Sequence, residues 1–197
     1  MTDERALVRQ IQNGDPSAFA DLVEQYKKKV YYLALDLHGN HHDAEDLSQE
    51  VFMKAYRGIR GFRGDSKIGS WLYRITVNTY LGSKKKKADQ IVMLVDKKSD
   101  NDIDPLEARD EVTGNPERAV VSRRINEHVT AALQQLSQQE RTVFVMRHYH
   151  DMPLKEISDT LNVAEGTVKS LLFRSIRKLR QRLSFYKEEL GLEDPAK

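Results

Sequence analysis

The stretch Met152 to Arg182, MPLKEISDTLNVAEGTVKSLLFRSIRKLRQR, commits its part of the chain to two helices separated by the short break Asn162-Val163-Ala164. Leu154, Ile157 and Leu161 follow a three-and-four spacing that lays one apolar stripe along a short helix, and Pro153 suits its first turn. Beyond the break, Val168, Leu172, Ile176, Leu179 and Leu183 form a second stripe, which Leu171 beside Leu172 makes wide. Glu165, Gly166 and Thr167 stand at the entry of this second helix, and its opposite face is left with Lys169, Ser170, Phe173, Arg174 and Arg177. From Lys169 to Arg182 there is no acidic residue. Lys and Arg can take phosphates or guanine edges, Ser can donate to either, and an exposed Phe can meet a thymine methyl. A basic run by itself is a solvated helix face more often than a binding surface. The preceding amphipathic helix and tight turn reverse that preference, because a helix-turn-helix requires this pairing.

The chain has 197 residues, 39% hydrophobic and 31% charged, which suits two small domains better than one large one. It has no cysteine, so disulfides, thiolate metal sites and thiol redox chemistry are excluded. The N-terminal MTDERALVRQIQNGD lacks an apolar core of signal-peptide length, and no apolar run approaches the ~20 residues of a membrane span. A cytoplasmic location is therefore expected. The formal net charge is only +2, but the charges are segregated. Lys84 to Lys87 and the Lys169 to Arg182 helix are basic, whereas Asp96, Asp100, Asp102, Asp104, Glu107, Asp110 and Glu111 cluster between them. That layout predicts two positive surfaces joined by a negative tether.

Asp15-Pro16 is a helix start, with Asp15 as N-cap and Pro16 at the first helical position. Phe19, Leu22, Val23, Tyr26, Val30, Leu33 and Leu37 keep the helical period until Gly39-Asn40. Asp43 is expected to cap the next helix, which carries Ala44, Leu47, Val51 and Ala55 on one side and Asp46, Gln49, Glu50 and Met53 on the other. The glycine-rich stretch Gly58 to Ser66, GIRGFRGDS, predicts a loop bearing an exposed Phe62. The helical period resumes from Ser66 to Leu81 through Ile68, Leu72, Ile75 and Thr79, leaving Tyr73, Arg74, Val77 and Asn78 nearer the other face. Residues 89–116 lack periodicity and read as a linker, within which Ile91 to Val95 suits either a short strand or an anchoring segment. Helices resume near Glu117 with Val121, Ile125, Val129, Leu133 and Leu136 apolar, and Ser137 to Glu140 is a capping box opening a short helix that ends near Tyr149. No stretch alternates at period two for long enough to predict a sheet, so the expected class is all-α.

Three stretches, in this order, carry a resemblance to a known family: DAEDLSQEVFMKAYRGI (Asp43 to Ile59), FRGDSKIGSWLYRITVNTYL (Phe62 to Leu81) and LKEISDTLNVAEGTVKSLLFRSIRKLR (Leu154 to Arg180). With an acidic linker between them, they resemble the extracytoplasmic-function (ECF) sigma factors of bacterial RNA polymerase, within the sigma-70 family. The resemblance implies two small helical domains joined by a flexible acidic linker. These would be sigma region 2 at 1–88, a linker at 89–116, sigma region 4 with the helix-turn-helix at 117–187, and a tail at 188–197. It implies that Asp46, Gln49, Glu50 and Met53 dock on the clamp of the polymerase core. It implies that Phe62, Arg63, Tyr73, Arg74 and Asn78 contact the opened minus-ten element, and that Thr167, Lys169, Ser170, Phe173, Arg174 and Arg177 contact the minus-thirty-five element. Promoter DNA, the core clamp and flap, and an anti-sigma protein are the partners this implies. Trp71 reads as core packing, and Tyr73 is open between packing and DNA. Leu171 and Lys169 stand where many relatives have a basic residue and an arginine, so base readout is expected to differ there.

Other chemistry finds little to stand on. His38, His41, His42 and Asp43 straddle a helix break rather than showing ligand spacing, and His148 and His150 lack a carboxylate pair, so no metal site is expected. No phosphate loop, nucleophile elbow or metalloprotease signature is present, and neither an enzyme nor a cofactor is expected. The rival reading is a dimeric helix-turn-helix regulator that occupies an operator without contacting polymerase. The residues from Asp43 to Leu81, which match sigma region 2 rather than a ligand-binding or receiver domain, argue against it.

Overall fold

A computed structural model describes residues 4–91 and 116–186, and every regular element among them is helical. The chain divides into two compact units. The first contains α1 (Glu4–Gln12), α2 (Pro16–His38), α3 (His41–Gly58), a single 3-10 turn (Ile59–Gly61) and α4 (Ile68–Ile91). The second contains α5 (Pro116–Gln134), α6 (Gln138–His148), most of α7 (Leu154–Leu161) and α8 (Glu165–Arg182).

In the first unit the helix ends follow from local chemistry. The Asp15 carboxylate accepts from the Ser17 and Ala18 amides, which otherwise have no partner inside the helix, and Pro16 brings no donor to satisfy. Gly39 closes α2 at φ 81°, a conformation that costs a β-carbon residue but not glycine. The cap of α3 lies earlier than Asp43: the Asn40 side chain accepts from the Asp43 amide, so Asp43 sits inside the first turn, where its charge still favours the helix N-terminus. Leu22, Val30, Leu33 and Leu37 of α2 are buried with Ala44, Leu47, Val51 and Ala55 of α3. Each large aliphatic side chain so buried stabilises the unit by ~1.5–3 kcal/mol relative to exposure. On α4 the buried set is Ile68, Leu72, Thr76, Val77, Thr79 and Tyr80. Val77, expected nearer the outer face, is fully buried, because α4 packs against both α2 and α3 and its inner arc is wider than one stripe. The same helix continues through Lys84 to Lys87 as far as Ile91, past the expected boundary at 88, since Lys and Ala are strong helix formers.

The N-terminal α1 was not foreseen from the spacing of its apolar residues. It buries Leu7, Val8 and Ile11 against α2 and the 3-10 turn, and Glu4 accepts from the Tyr26 hydroxyl at 2.7 Å. Burial, then the Glu4 hydrogen bond and charge, with a smaller part from the neighbouring Tyr73, push the Tyr26 phenol well above its ordinary range.

In the second unit Ala132, Leu133, Leu136 and Leu179 form a core flanked by Val129, Phe144, Tyr149 and Leu183. Ile125, expected in the apolar stripe of α5, is exposed. The capping box is present in both directions, with the Ser137 amide donating to Glu140 at 3.0 Å and the Glu140 amide donating to the Ser137 hydroxyl at 3.4 Å. Arg141 is buried and donates to the Leu133 and Gln134 carbonyls, which α5 leaves unsatisfied at its C-terminus. Of the expected linker, 89–91 continue α4 and Pro116 opens α5; Val92 to Val95, the rest of that linker and the tail at 188–197 lie outside the described residues.

Candidate nucleic-acid interface

Asn162 makes the turn between α7 and α8 possible. It takes φ 53°, a left-handed conformation that asparagine tolerates better than most residues, and the Val163 amide then closes back on the Ser158 carbonyl at 3.1 Å. Pro153 stands immediately before α7, one place earlier than expected, and its carbonyl accepts from the Ile157 amide. Met152, Ile157 and Val168 are buried, so each helix of the motif turns an apolar side inward, and α8 packs chiefly on α6.

On α8 the inward line runs Val168, Leu171, Ser175, Leu179, with Leu172 and Ile176 at its margin. The axis of the stripe is therefore rotated from the expected Val168-Leu172-Ile176 line, and Leu171, only 5% exposed, is a core residue. Its apolar character follows from packing and takes nothing from the exposed face. Thr167, Ser170, Arg174 and Arg177 recur at three- and four-residue steps and all are exposed, with Phe173 the most exposed large hydrophobic of the described residues at 69%. Lys169 is exposed at the flank of this face. The Ser170 hydroxyl donates to the Gly166 carbonyl at 2.9 Å, which leaves its oxygen to accept, and Arg174 Nε lies 3.4 Å from the Ser170 carbonyl. Arg174 is thus tethered to the helix backbone through Nε while remaining exposed.

A second expected surface lies on α3. Asp46, Gln49, Glu50 and Met53 are all exposed, Met53 at 56%, and their spacing of three, four and seven puts them on one face. Glu50 pairs with Lys54 at 2.8 Å, and Lys54 also donates to Thr79 on α4 at 3.1 Å, which fixes this end of the face. Asp46 stands 3.9 Å from His42.

The third surface surrounds the glycine-rich loop. Phe62 is half-buried rather than free: its ring lies 5.2 Å from that of Trp71 at a 46° tilt, so Trp71 packs and supports it. Gly64 at φ 78° turns the chain back, and Arg63 is exposed. Arg74 and Asn78, at three and seven residues from Trp71, are exposed on the same face of α4 as that indole. Tyr73 is not brought to this face. It is half-buried on the side of Val77 and Tyr80, and its phenol lies near enough to Tyr26 to disfavour ionisation there. A residue the sequence reading missed is Gln12, the last of α1, whose side-chain nitrogen donates to the Ile59 carbonyl at 3.0 Å and the Phe62 carbonyl at 2.8 Å. Leu7, Val8 and Ile11 stand at helical spacing and mark the helix that carries it, but nothing local in the sequence points to its two distant acceptors.

The histidines have local roles. His38 Nδ1 is 3.3 Å from Asp43 and its ring meets Tyr80 edge-on, while His41 shares a hydrogen bond with Tyr31.

The arrangement combines an acidic and apolar helix face, an aromatic loop beside polar groups, and a helix-turn-helix with a cationic outer face. Residues 22–89 match the family Sigma-70 region 2, and residues 132–181 match Sigma-70, region 4. The ECF RNA polymerase sigma factor SigW of Bacillus subtilis (strain 168) is 34% identical over 183 residues, covering 89% of this chain and 94% of that protein. The ECF RNA polymerase sigma-E factor of Escherichia coli (strain K12) is 32% identical over 185 residues, covering 89% and 91%. In fold, the chain is similar to the sigma factor RpoE of Bartonella quintana, solved in complex with the anti-sigma factor NepR, with a TM-score of 0.65, 20% identity and coverage of 84% and 96%. It is likewise similar to CnrH, solved with the cytosolic domain of CnrY, with a TM-score of 0.62, 19% identity and coverage of 92% and 97%. By these matches, over nearly its whole length, the chain belongs to the ECF sigma factors of RNA polymerase.

Proposed function

We propose that this ECF sigma factor directs bacterial core polymerase to its promoters and starts strand opening, with the three surfaces dividing the work. The α3 face of Asp46, Gln49, Glu50 and Met53 docks on the core clamp, where exposed carboxylates and a soft apolar side chain suit a basic, apolar-flanked partner. Phe62, Arg63, Arg74 and Asn78 hold an unpaired minus-ten base. Extrusion costs a few kcal/mol, and stacking on an aromatic ring returns ~1–3 kcal/mol, so capture needs a supported ring and polar edges but no ATP. Tyr73 belongs to the packing of α4. Thr167, Lys169, Ser170, Phe173, Arg174 and Arg177 meet the minus-thirty-five element, while the second unit also meets the core flap.

The observation that carries this reading is the outer face of α8, an unbroken run of exposed polar, cationic and aromatic side chains on a helix-turn-helix. The protein works in the cytoplasm as an initiation factor without catalytic chemistry or a cofactor of its own; no described helix is long and apolar enough to cross a membrane. An anti-sigma protein is its expected antagonist, in line with the partners of the fold relatives. Membership of the ECF family counts against the free-standing operator-binding regulator. Run-off transcription with purified core on a promoter library tests the reading: a discrete set of start sites supports it, and no initiation above core alone overturns it.

A further inference from the structure

We infer that Gln12 is a positioning residue for strand opening, acting through the turn that presents Phe62; this rests on the captured-base reading of that loop. A carboxamide nitrogen has two hydrogens, and both are spent here, one on the Ile59 carbonyl at 3.0 Å and one on the Phe62 carbonyl at 2.8 Å. The Phe62 amide itself donates to the Ile59 carbonyl at 3.0 Å, so Gln12 ties together the two ends of a turn that is already hydrogen-bonded. The packing of α1 on this turn holds Gln12 in place. Arg5, Arg9 and Gln12 of α1 line, with Phe62, Arg63 and Lys67, an open cleft of about 550 Å³ that also carries Glu4 and Asp65, in which an unstacked base would meet the phenyl group beside charged and polar edges of both signs. A loop ordered only at the moment of capture would lose ~1–2 kcal/mol per backbone residue fixed, so a turn fixed beforehand captures more often.

The test uses holoenzyme reconstituted from core and the full chain. Gln12→Met keeps the length of the side chain without its donors, and Gln12→Glu sets a carboxylate against two carbonyls. Opening rates are measured on an intact promoter and on promoters carrying single abasic nucleotides through the minus-ten non-template strand. Both variants are expected to slow opening about tenfold on the intact promoter, the effect of two ordinary hydrogen bonds, with core association unchanged. At the position where loss of the base slows the wild type, the variants are expected to add nothing further. A full tenfold loss persisting on that abasic promoter overturns the assignment, as does unslowed opening on the intact one. The ratio of intact to abasic rates is taken within one protein, so a reduced folded fraction cancels. If no abasic position slows the wild type, the captured-base reading itself falls and Gln12 with it, an outcome distinct from failure of Gln12 alone.

Discussion

A phenyl ring supported on one side and open on the other is worth more to an unpaired base than a ring moving freely in solvent, because its orientation is already determined. Phe62 is in that position, half-buried against Trp71. Replacing Phe62 with Ala should remove base stacking of ~1–3 kcal/mol and slow promoter opening by roughly an order of magnitude or more, with duplex binding near wild type. Phe62→Leu, which keeps the contact with Trp71, separates packing from stacking. Equal loss of opening and duplex binding in both variants would count against the role. On α8 the two kinds of cation should behave differently. Arg174 projects from the central face, so Arg174→Ala should cost ~1–3 kcal/mol and relax preference at one minus-thirty-five position. Lys169 at the flank is a point charge, so Lys169→Ala should weaken all sequences alike and flatten the salt dependence by about one unit of slope. Both variants should still co-purify with core.

Besides apolar packing, one buried carboxylate joins α6 to α8. Burial opposes the charge on Glu140. The Lys178 hydrogen bond at 2.7 Å, the Ser137 amide and hydroxyl, and the Lys178 charge outweigh it and hold the carboxyl below its ordinary value. A depressed carboxylate stabilises the fold above its unfolded value and loses that contribution as the pH falls through the folded one. Amide exchange in α6 and α8 should therefore quicken as the pH drops below the ordinary glutamate value of 4.5, after correction for the intrinsic rate. Lys178→Met should destabilise the unit by about 1–2 kcal/mol, since the lysine is half exposed, and should remove much of this acid sensitivity. Retention of the full acid response in Lys178→Met would show that another group carries it. Such helix ends are what the sequence made legible. Asp15-Pro16, Gly39 and the Ser137-Glu140 box act through neighbours a few residues away, so their chemistry is written locally. Asn40 displaced Asp43 as cap because both can accept a backbone amide and only the path of the entering chain chooses between them. The axis of the α8 stripe and the place of Val77 were misread because helical spacing finds a stripe but not its axis, which the helices packed against it determine; the width that Leu171 gave the stripe was legible. Gln12 was out of reach for a related reason, since its two acceptors lie some fifty residues away in sequence, brought close by α1 packing on the turn. The exposed sets on α3 and α8 were readable because a polar side chain at helical spacing has no apolar partner to compete for it.

At the scale of the molecule, the distribution of charge explains why neither unit should suffice alone. The formal net charge is only +2, so there is no general cationic field to hold the chain on DNA, and attraction rests on local basic stretches such as Lys169 to Arg182. A helix-turn-helix that neutralises a few phosphates binds weakly at physiological salt, and two such sites joined by a long acidic segment have a low effective concentration for each other. Core polymerase, by docking the α3 face and the second unit together, would set their separation and convert two weak contacts into one strong one. The isolated chain should thus bind promoter duplex weakly, with little preference over random duplex and with affinity falling steeply as salt rises. Addition of core should raise affinity and discrimination together, and Asp46→Lys should reduce that gain by impairing core docking while leaving the weak binding of the free chain unharmed. Fluorescence anisotropy on labelled promoter and random duplexes, with and without core, across a salt series, measures each quantity. Tight, sequence-selective binding by the free chain with no gain from core would mean that α8 acts alone, and the division of work among three surfaces would fail with it.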